Sequence, residues 1–267
     1  MADRAGRGKL KARELVGDSY RLWFRNWTLW LVALALPAAI DVVVRATFQQ
    51  TYMPRLQGSQ DVYSTVTEGQ FLLRSFAMLV TSVITSTLFA VSWHRLSLLG
   101  AKTRLFPTIG PQHMRFALVS LVLIAITVAI VRLGGLLAQT GGTTGLVVLL
   151  SLVLSCILYL RWSMAFPAAA IGAPSGFVAS WRLTRGAAFK LFWAIVLGLI
   201  PVVVASLVIG SFAQRLLIGL GGPPLWSELL VEAVLSYWLL AILIGVVSAA
   251  YRRLTADSGG GRPFHGT

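Results

Sequence analysis

Six apolar stretches alternate with short polar segments along the chain, at roughly 27–44, 71–92, 116–138, 145–167, 190–212 and 228–250. Each holds about 18–23 residues, enough to cross a hydrocarbon core of about 30 Å as an α-helix rising about 1.5 Å per residue. The third is the cleanest, with no charge from Phe116 to Val131. Two shorter segments carry a helical rather than a continuous pattern. In residues 10–26, Ala12, Leu15, Val16, Ser19 and Trp23 fall on one face and Glu14, Asp18, Arg21 and Arg25 on another. In residues 175–185, Phe177, Val178, Trp181 and Thr184 form a face, with Ser175 as the expected N-cap and Gly186 as the expected stop. The pattern therefore predicts an all-α, polytopic transmembrane bundle of six helices with two amphipathic helices lying at the membrane interface.

Composition supports a non-aqueous solvent. The chain is 57% hydrophobic and 12% charged, with a mean hydropathy of +0.78, where a soluble domain carries about 25% charged residues. The formal charge of +14 would suit a nucleic-acid partner, but the basic residues cluster in short segments between the apolar stretches, so none is expected. Their distribution gives an orientation instead. Arg45, Arg55, Arg74, Arg132 and Arg215 lie on one side of the six spans, and the other eighteen Lys and Arg residues lie on the opposite side. Basic residues resist translocation, so the rich side is expected to be cytoplasmic, with both termini inside. The expected localisation is the inner, plasma membrane, as a multi-pass protein.

Three regions follow: a basic segment with an amphipathic helix at 1–26, a transmembrane domain at 27–255, and a disordered tail at 256–267 that opens Ser-Gly-Gly-Gly from Ser258. The polar start does not read as a cleavable signal. Residues 46–70 are expected to form a long, polar loop, and Gly221 to Pro224 a firm stop. Pro37, Pro167 and Pro201 are candidate kinks. Trp23, Trp27 and Trp30 are expected to anchor at headgroup level. Cys156 is the single cysteine, expected to pack between helices.

Two short patterns recur. Ser19-Tyr20-Arg21-Leu22 precedes the first span and Ser180-Trp181-Arg182-Leu183 the fifth. Trp93-His94-Arg95-Leu96-Ser97 ends the second, and Tyr251-Arg252-Arg253-Leu254-Thr255 the sixth. A parallel repeat would explain them, pairing spans one and two with five and six about an axis along the membrane normal. So would the common demand of inner helix ends for aromatic and arginine side chains.

Candidate chemistry is sparse. His94 and His113 are expected to share a loop, and Asp3, Glu14, Asp18 and Asp257 on the inner side do not cluster in the sequence. No phosphate-binding glycine loop and no H-E-x-x-H occurs, so no catalytic residue, metal site or cofactor is assigned. Arg21, Arg95, Arg182, Arg185, Arg252 and Arg253 form an expected belt for phospholipid headgroups or another anion. Asp41, Arg74 and Glu232 are the alternative, an ion-coupling set near the outer ends of their spans, where Asp41 needs a partner such as Arg45. Thr81, Ser82, Thr85, Ser86 and Thr87 add hydroxyls to the second span, with Ser82 and Ser86 on one face.

The run Arg161-Trp-Ser-Met-Ala-Phe-Pro-Ala-Ala-Ala-Ile-Gly172, followed by Ser180-Trp-Arg-Leu-Thr-Arg-Gly186, resembles uncharacterised bacterial integral membrane proteins. These are similar to the membrane domain found beside some glycerophosphoryl diester phosphodiesterases. Trp93 to Leu99 and Ala250 to Leu254 fit the same likeness. The resemblance implies a six-helix inner-membrane domain across most of 10–255. It does not imply hydrolase activity, which belongs to a separate soluble barrel of about 250 residues. The acidic residue that the family often places before Ser-Trp-Arg-Leu is missing between Gly172 and Ala179, so no charge partner is expected for Arg182. The expected function is non-enzymatic: organising or stabilising anionic membrane lipids, or a membrane protein partner or second copy, through the basic face. The alternative is a small transporter or channel using Asp41, Glu232 and the hydroxyl-rich second span.

Overall fold

The computed structural model describes residues 10–56, 68–100, 109–138, 144–174, 176–219 and 225–257, and among these it is all-helical. In chain order the helices are α1 (Ala12–Arg25), α2 (Trp27–Leu56), α3 (Glu68–Leu99), α4 (Pro111–Ala138), α5 (Thr144–Trp162), α6 (Ala165–Ile171), α7 (Phe177–Leu183), α8 (Ala188–Gly219) and α9 (Leu225–Asp257). Six segments are long and apolar enough to cross a membrane: Trp27–Thr47, Leu72–Leu99, Pro111–Leu137, Gly145–Ile171, Ala188–Ala213 and Ser227–Ala256. They coincide with the six stretches read from the sequence.

Helix α9 is the hub. It packs against α1, α2, α3 and α8, while α4 and α5 pair with each other at the side. Of its apolar segment 44% is buried, against 11% for α4 and α5. The reason is a run of small residues, Ala233, Ala241, Gly245 and Ala249, that admits neighbouring helices to its backbone. Three neighbours donate side-chain hydrogen bonds to α9 carbonyls there. Ser19 Oγ of α1 reaches Ile242 O at 2.8 Å, Trp93 Nε1 of α3 reaches Ala241 O at 3.0 Å, and Trp30 Nε1 of α2 reaches Tyr237 O at 3.4 Å. Tyr20, beside Ser19, donates to Gly198 O of α8 at 2.8 Å. Thus α1 is clamped on both α8 and α9, with Leu15 and Ser19 buried.

Several expectations change. Trp23 and Trp30 serve as packing residues: Trp30 is buried, and Trp23 stacks on Trp238 with ring centroids 5.2 Å apart. Only Trp27 of the three is exposed. Cys156 is exposed on α5 rather than packed between helices. The expected loop from 46 to 70 is shortened by helix on both sides, since α2 runs on to Leu56 and α3 starts at Glu68. Polar residues continue a helix cheaply once the nucleus is formed. His94 and His113 are not in a loop but in α3 and α4. The fourth span is broken between Trp162 and Ala165. Pro167 has no N–H to give Ser163 O, four residues back, and Phe166 N takes that carbonyl instead at 3.3 Å. Pro37 and Pro201 leave their helices continuous.

Helix α7 begins after Gly176 and ends at Leu183. The expected cap Ser175 lies outside the described residues, as do 1–9, the stop at 221–224 and the tail from 258. Gly186 takes a left-handed φ of 81° in the turn into α8. A repeat about an axis along the bundle would set α7 on α2 and α3 as α1 sits on α8 and α9. Instead α7 packs chiefly on α5 and α6, so the repeat does not extend to the amphipathic helices.

At Gly245 an added Cβ would meet Ser19 Oγ at 2.2 Å and Ser19 Cα at 3.2 Å. Gly245→Ala is expected to cost about 1–3 kcal/mol, as overpacking does, and to release α1 from α9. Limited proteolysis within 12–25 and the melting midpoint in detergent measure this, and Ser19→Gly in the same chain restores part of the loss.

Candidate anion site at the basic end of the bundle

Where α1, the end of α3 and the end of α9 meet, they enclose a cavity of about 440 Å³. Arg21 and Arg25 of α1 and Arg252 and Arg253 of α9 line it, with Asp18 as the sole carboxylate and Ser97 and Gly100 at the α3 side. Four guanidinium groups against one carboxylate leave a strongly positive lining. Guanidinium groups bind phosphate or carboxylate oxygens through paired N–H donors.

The same sequence features that dock α1 build this wall. Glu14 and Asp18 are one helical turn apart, so both face α9. Arg253 spans them, with Nη1 2.6 Å from Glu14 Oε2 and Nη2 2.7 Å from Asp18 Oδ2. Lys11 lies 3.0 Å from the other Glu14 oxygen, and Arg21 3.5 Å from the other Asp18 oxygen. Arg252 donates through Nη2 to the Ser97 carbonyl near the end of α3, using one of several N–H groups. The hydrogen bond from Lys11, and then that from Arg253, hold the Glu14 carboxyl below its usual range. Burial pushes the Tyr20 phenol up, which keeps it a donor to Gly198.

Of the six arginines singled out in the sequence, the fold brings Arg21, Arg252 and Arg253 together. Arg95 is half-buried elsewhere, with Nη1 3.4 Å from Ala170 O of α6. Arg182 and Arg185 are exposed in and just after α7, outside the cavity. Three of the six thus line one cavity, joined by Arg25, which the sequence places on the polar face of the amphipathic helix but not in the candidate anion set. The inner carboxylates were also misjudged, since Glu14 and Asp18 do cluster, around Arg253. Their i,i+4 spacing in an otherwise basic segment was the available signal.

No family model, curated protein or solved structure matches this chain.

At the opposite end, the alternative set is partly assembled. Asp41 is buried and pairs with Arg45 Nε at 3.0 Å, and Arg45 Nη1 reaches Glu232 Oε1 at 2.6 Å. Arg45 is thus the cation between Asp41 and Glu232, while Arg74 is half-buried two turns into α3. Among the described residues no cluster of three His, Cys, Asp or Glu side chains could hold a metal.

A carboxylate whose folded pKa is depressed contributes stability above its unfolded pKa and loses it as pH falls through the folded value. For Glu14 the reference is 4.5. Protection of α1 amides in hydrogen exchange is expected to hold from about pH 7 to about pH 5 and to fall off below 4.5. In Glu14→Gln it should be weaker at neutral pH and change less on acidification.

Proposed function

We propose that this chain is a non-enzymatic, multi-pass protein of a bacterial inner membrane that binds an anionic phospholipid headgroup in the cavity between α1, α3 and α9. Both termini lie in the cytoplasm, where the excess of basic residues favours them. The observation that carries the reading is the convergence of Arg21, Arg25, Arg252 and Arg253 on one cavity with a single carboxylate. In this orientation the cavity opens at inner-leaflet headgroup level, where anionic lipid is concentrated. The apolar faces of α1 and α7 then lie along the interface as well as on the bundle.

The pairing of Asp41 and Glu232 with Arg45 favours this reading over ion coupling, which needs a carboxylate able to exchange its proton or ion. Each basic residue near an anionic surface is worth about 1 kcal/mol. The double variant Arg21→Gln/Arg25→Gln is therefore expected to lose about thirtyfold in affinity for dioleoylphosphatidylglycerol, with dioleoylphosphatidylcholine unchanged. Lipid titration monitored by native mass spectrometry measures this. Arg182→Gln/Arg185→Gln should bind as the parent chain does, and an equal loss in both double variants would reduce the cavity to a generic basic surface.

A further inference from the structure

A second cleft lies between α3, α4, α5 and α9, with a volume of about 430 Å³. Along α3 its wall is Ser82, Ser86, Ala90 and His94. Recurring every four residues, these run about 18 Å down one face. Ser120 and Thr127 of α4, Tyr159 of α5 and Ser163 just after it add hydroxyls, and the rest of the lining is aliphatic or aromatic, with no Asp, Glu, Lys or Arg.

His94 is 2% exposed, and its Nδ1 lies 2.7 Å from Ser248 Oγ on α9. Among the described residues this is the one side-chain hydrogen bond of the ring and of that hydroxyl. Ser248 is fully buried, so its proton needs an acceptor, and Nδ1 supplies one. That assignment puts the ring proton on Nε2. Nε2, on the ring edge away from Ser248, is then an N–H donor with no acceptor among the described side chains, on a residue that lines the cleft. His94 also sits at an informative depth. It lies five residues, about 7.5 Å, inside the end of its span at Leu99. The interfacial zone on each side of a bilayer is about 5–7 Å thick. The ring is therefore placed near the boundary between headgroups and chains, the level of glycerol ester carbonyls.

We propose that this cleft binds one acyl glycerolipid, with a chain along the Ser82–Ala90 stripe and an ester carbonyl accepting from His94 Nε2–H. A carbonyl answers an unmatched donor without bringing a donor of its own. A neutral lining suits the chain and ester rather than a charged headgroup. At about 30 Å³ per water-sized group, the volume holds about fourteen such groups, which is one chain and not two. The site is walled by residues that do not line the basic cavity, and it stands whatever binds there.

The test compares dioleoylphosphatidylcholine with its diether analogue, which keeps the headgroup and chains but lacks both ester carbonyls. Each is titrated into the full chain in mild detergent and read by native mass spectrometry. One diester lipid per chain is expected, held about fivefold more tightly than the diether, the worth of one net hydrogen bond. His94→Phe is expected to remove that preference, and Ser86→Leu/Ser120→Leu, which fills the cleft, to remove the bound lipid. Equal affinity of the parent chain for diester and diether overturns the proposal without recourse to any variant. Undiminished lipid binding by the filled variant overturns it too. So does a proton flux through the parent chain in sealed vesicles that the filled variant abolishes, since that makes the cleft an aqueous path.

Discussion

Close approach to the backbone of α9 is the constraint on which the rest of this structure depends. Ala233, Ala241 and Gly245 leave its carbonyls within reach, and Ser19, Trp30 and Trp93 each donate to one of them. In a hydrocarbon surround, helices gain nothing from burying apolar surface against each other, so packing and such hydrogen bonds must hold them. The contacts are directional, and they fix how α1, α2 and α3 sit on α9, while α8 completes its surround. Helix α1 belongs to this set although it is too short and too polar to cross a membrane. Its Ser19 fits only because Gly245 has no side chain.

The same docking creates the electrostatics of the basic end. Once Ser19 fixes the rotation of α1, Glu14 and Asp18 must face Arg253, and Arg21 and Arg25 must border the space left between α1 and the ends of α3 and α9. Arg253 is held by two carboxylates, whereas Arg21 and Arg25 sit at the exposed edge of the cavity. A cationic lining is tolerable there because solvent and counter-ions can screen it. At the opposite end the balance is reversed. Asp41 lies within its span and is neutralised by Arg45, which also reaches Glu232. Paired charges of this kind make a structural brace between α2 and α9.

The two cavities lie on opposite sides of the seam between α3 and α9, and the His94–Ser248 hydrogen bond lies in that seam. Trp93 and His94 are adjacent in sequence and both bond α9, but only His94 also lines the cleft. A helix of 3.6 residues per turn separates adjacent side chains by about 100°. One stretch of α3 thereby serves both the packing of the hub and the wall of the second cleft.

The six spans and the amphipathic character of α1 were legible in the residues themselves, because hydropathy and helical period are local properties; that the chain breaks near Pro167 and not at Pro37 or Pro201 was not. The asymmetry of charge was legible too, and with it the choice of arginine as the candidate residue type. Which arginines line one cavity was not legible. Arg21, Arg252 and Arg253 were named alongside Arg95, Arg182 and Arg185, and only docking of α1 on α8 and α9 separated the first group from the second and added Arg25. His94 read as a loop residue until α3 ran on to Leu99, and its partner Ser248 is 154 positions away. Sequence by itself set where the chain leaves water, since that depends on the transfer energy of consecutive side chains. Tertiary structure alone decided which helix faces meet, since that depends on shape at contacts such as Ser19 against Gly245, made between residues far apart in the chain.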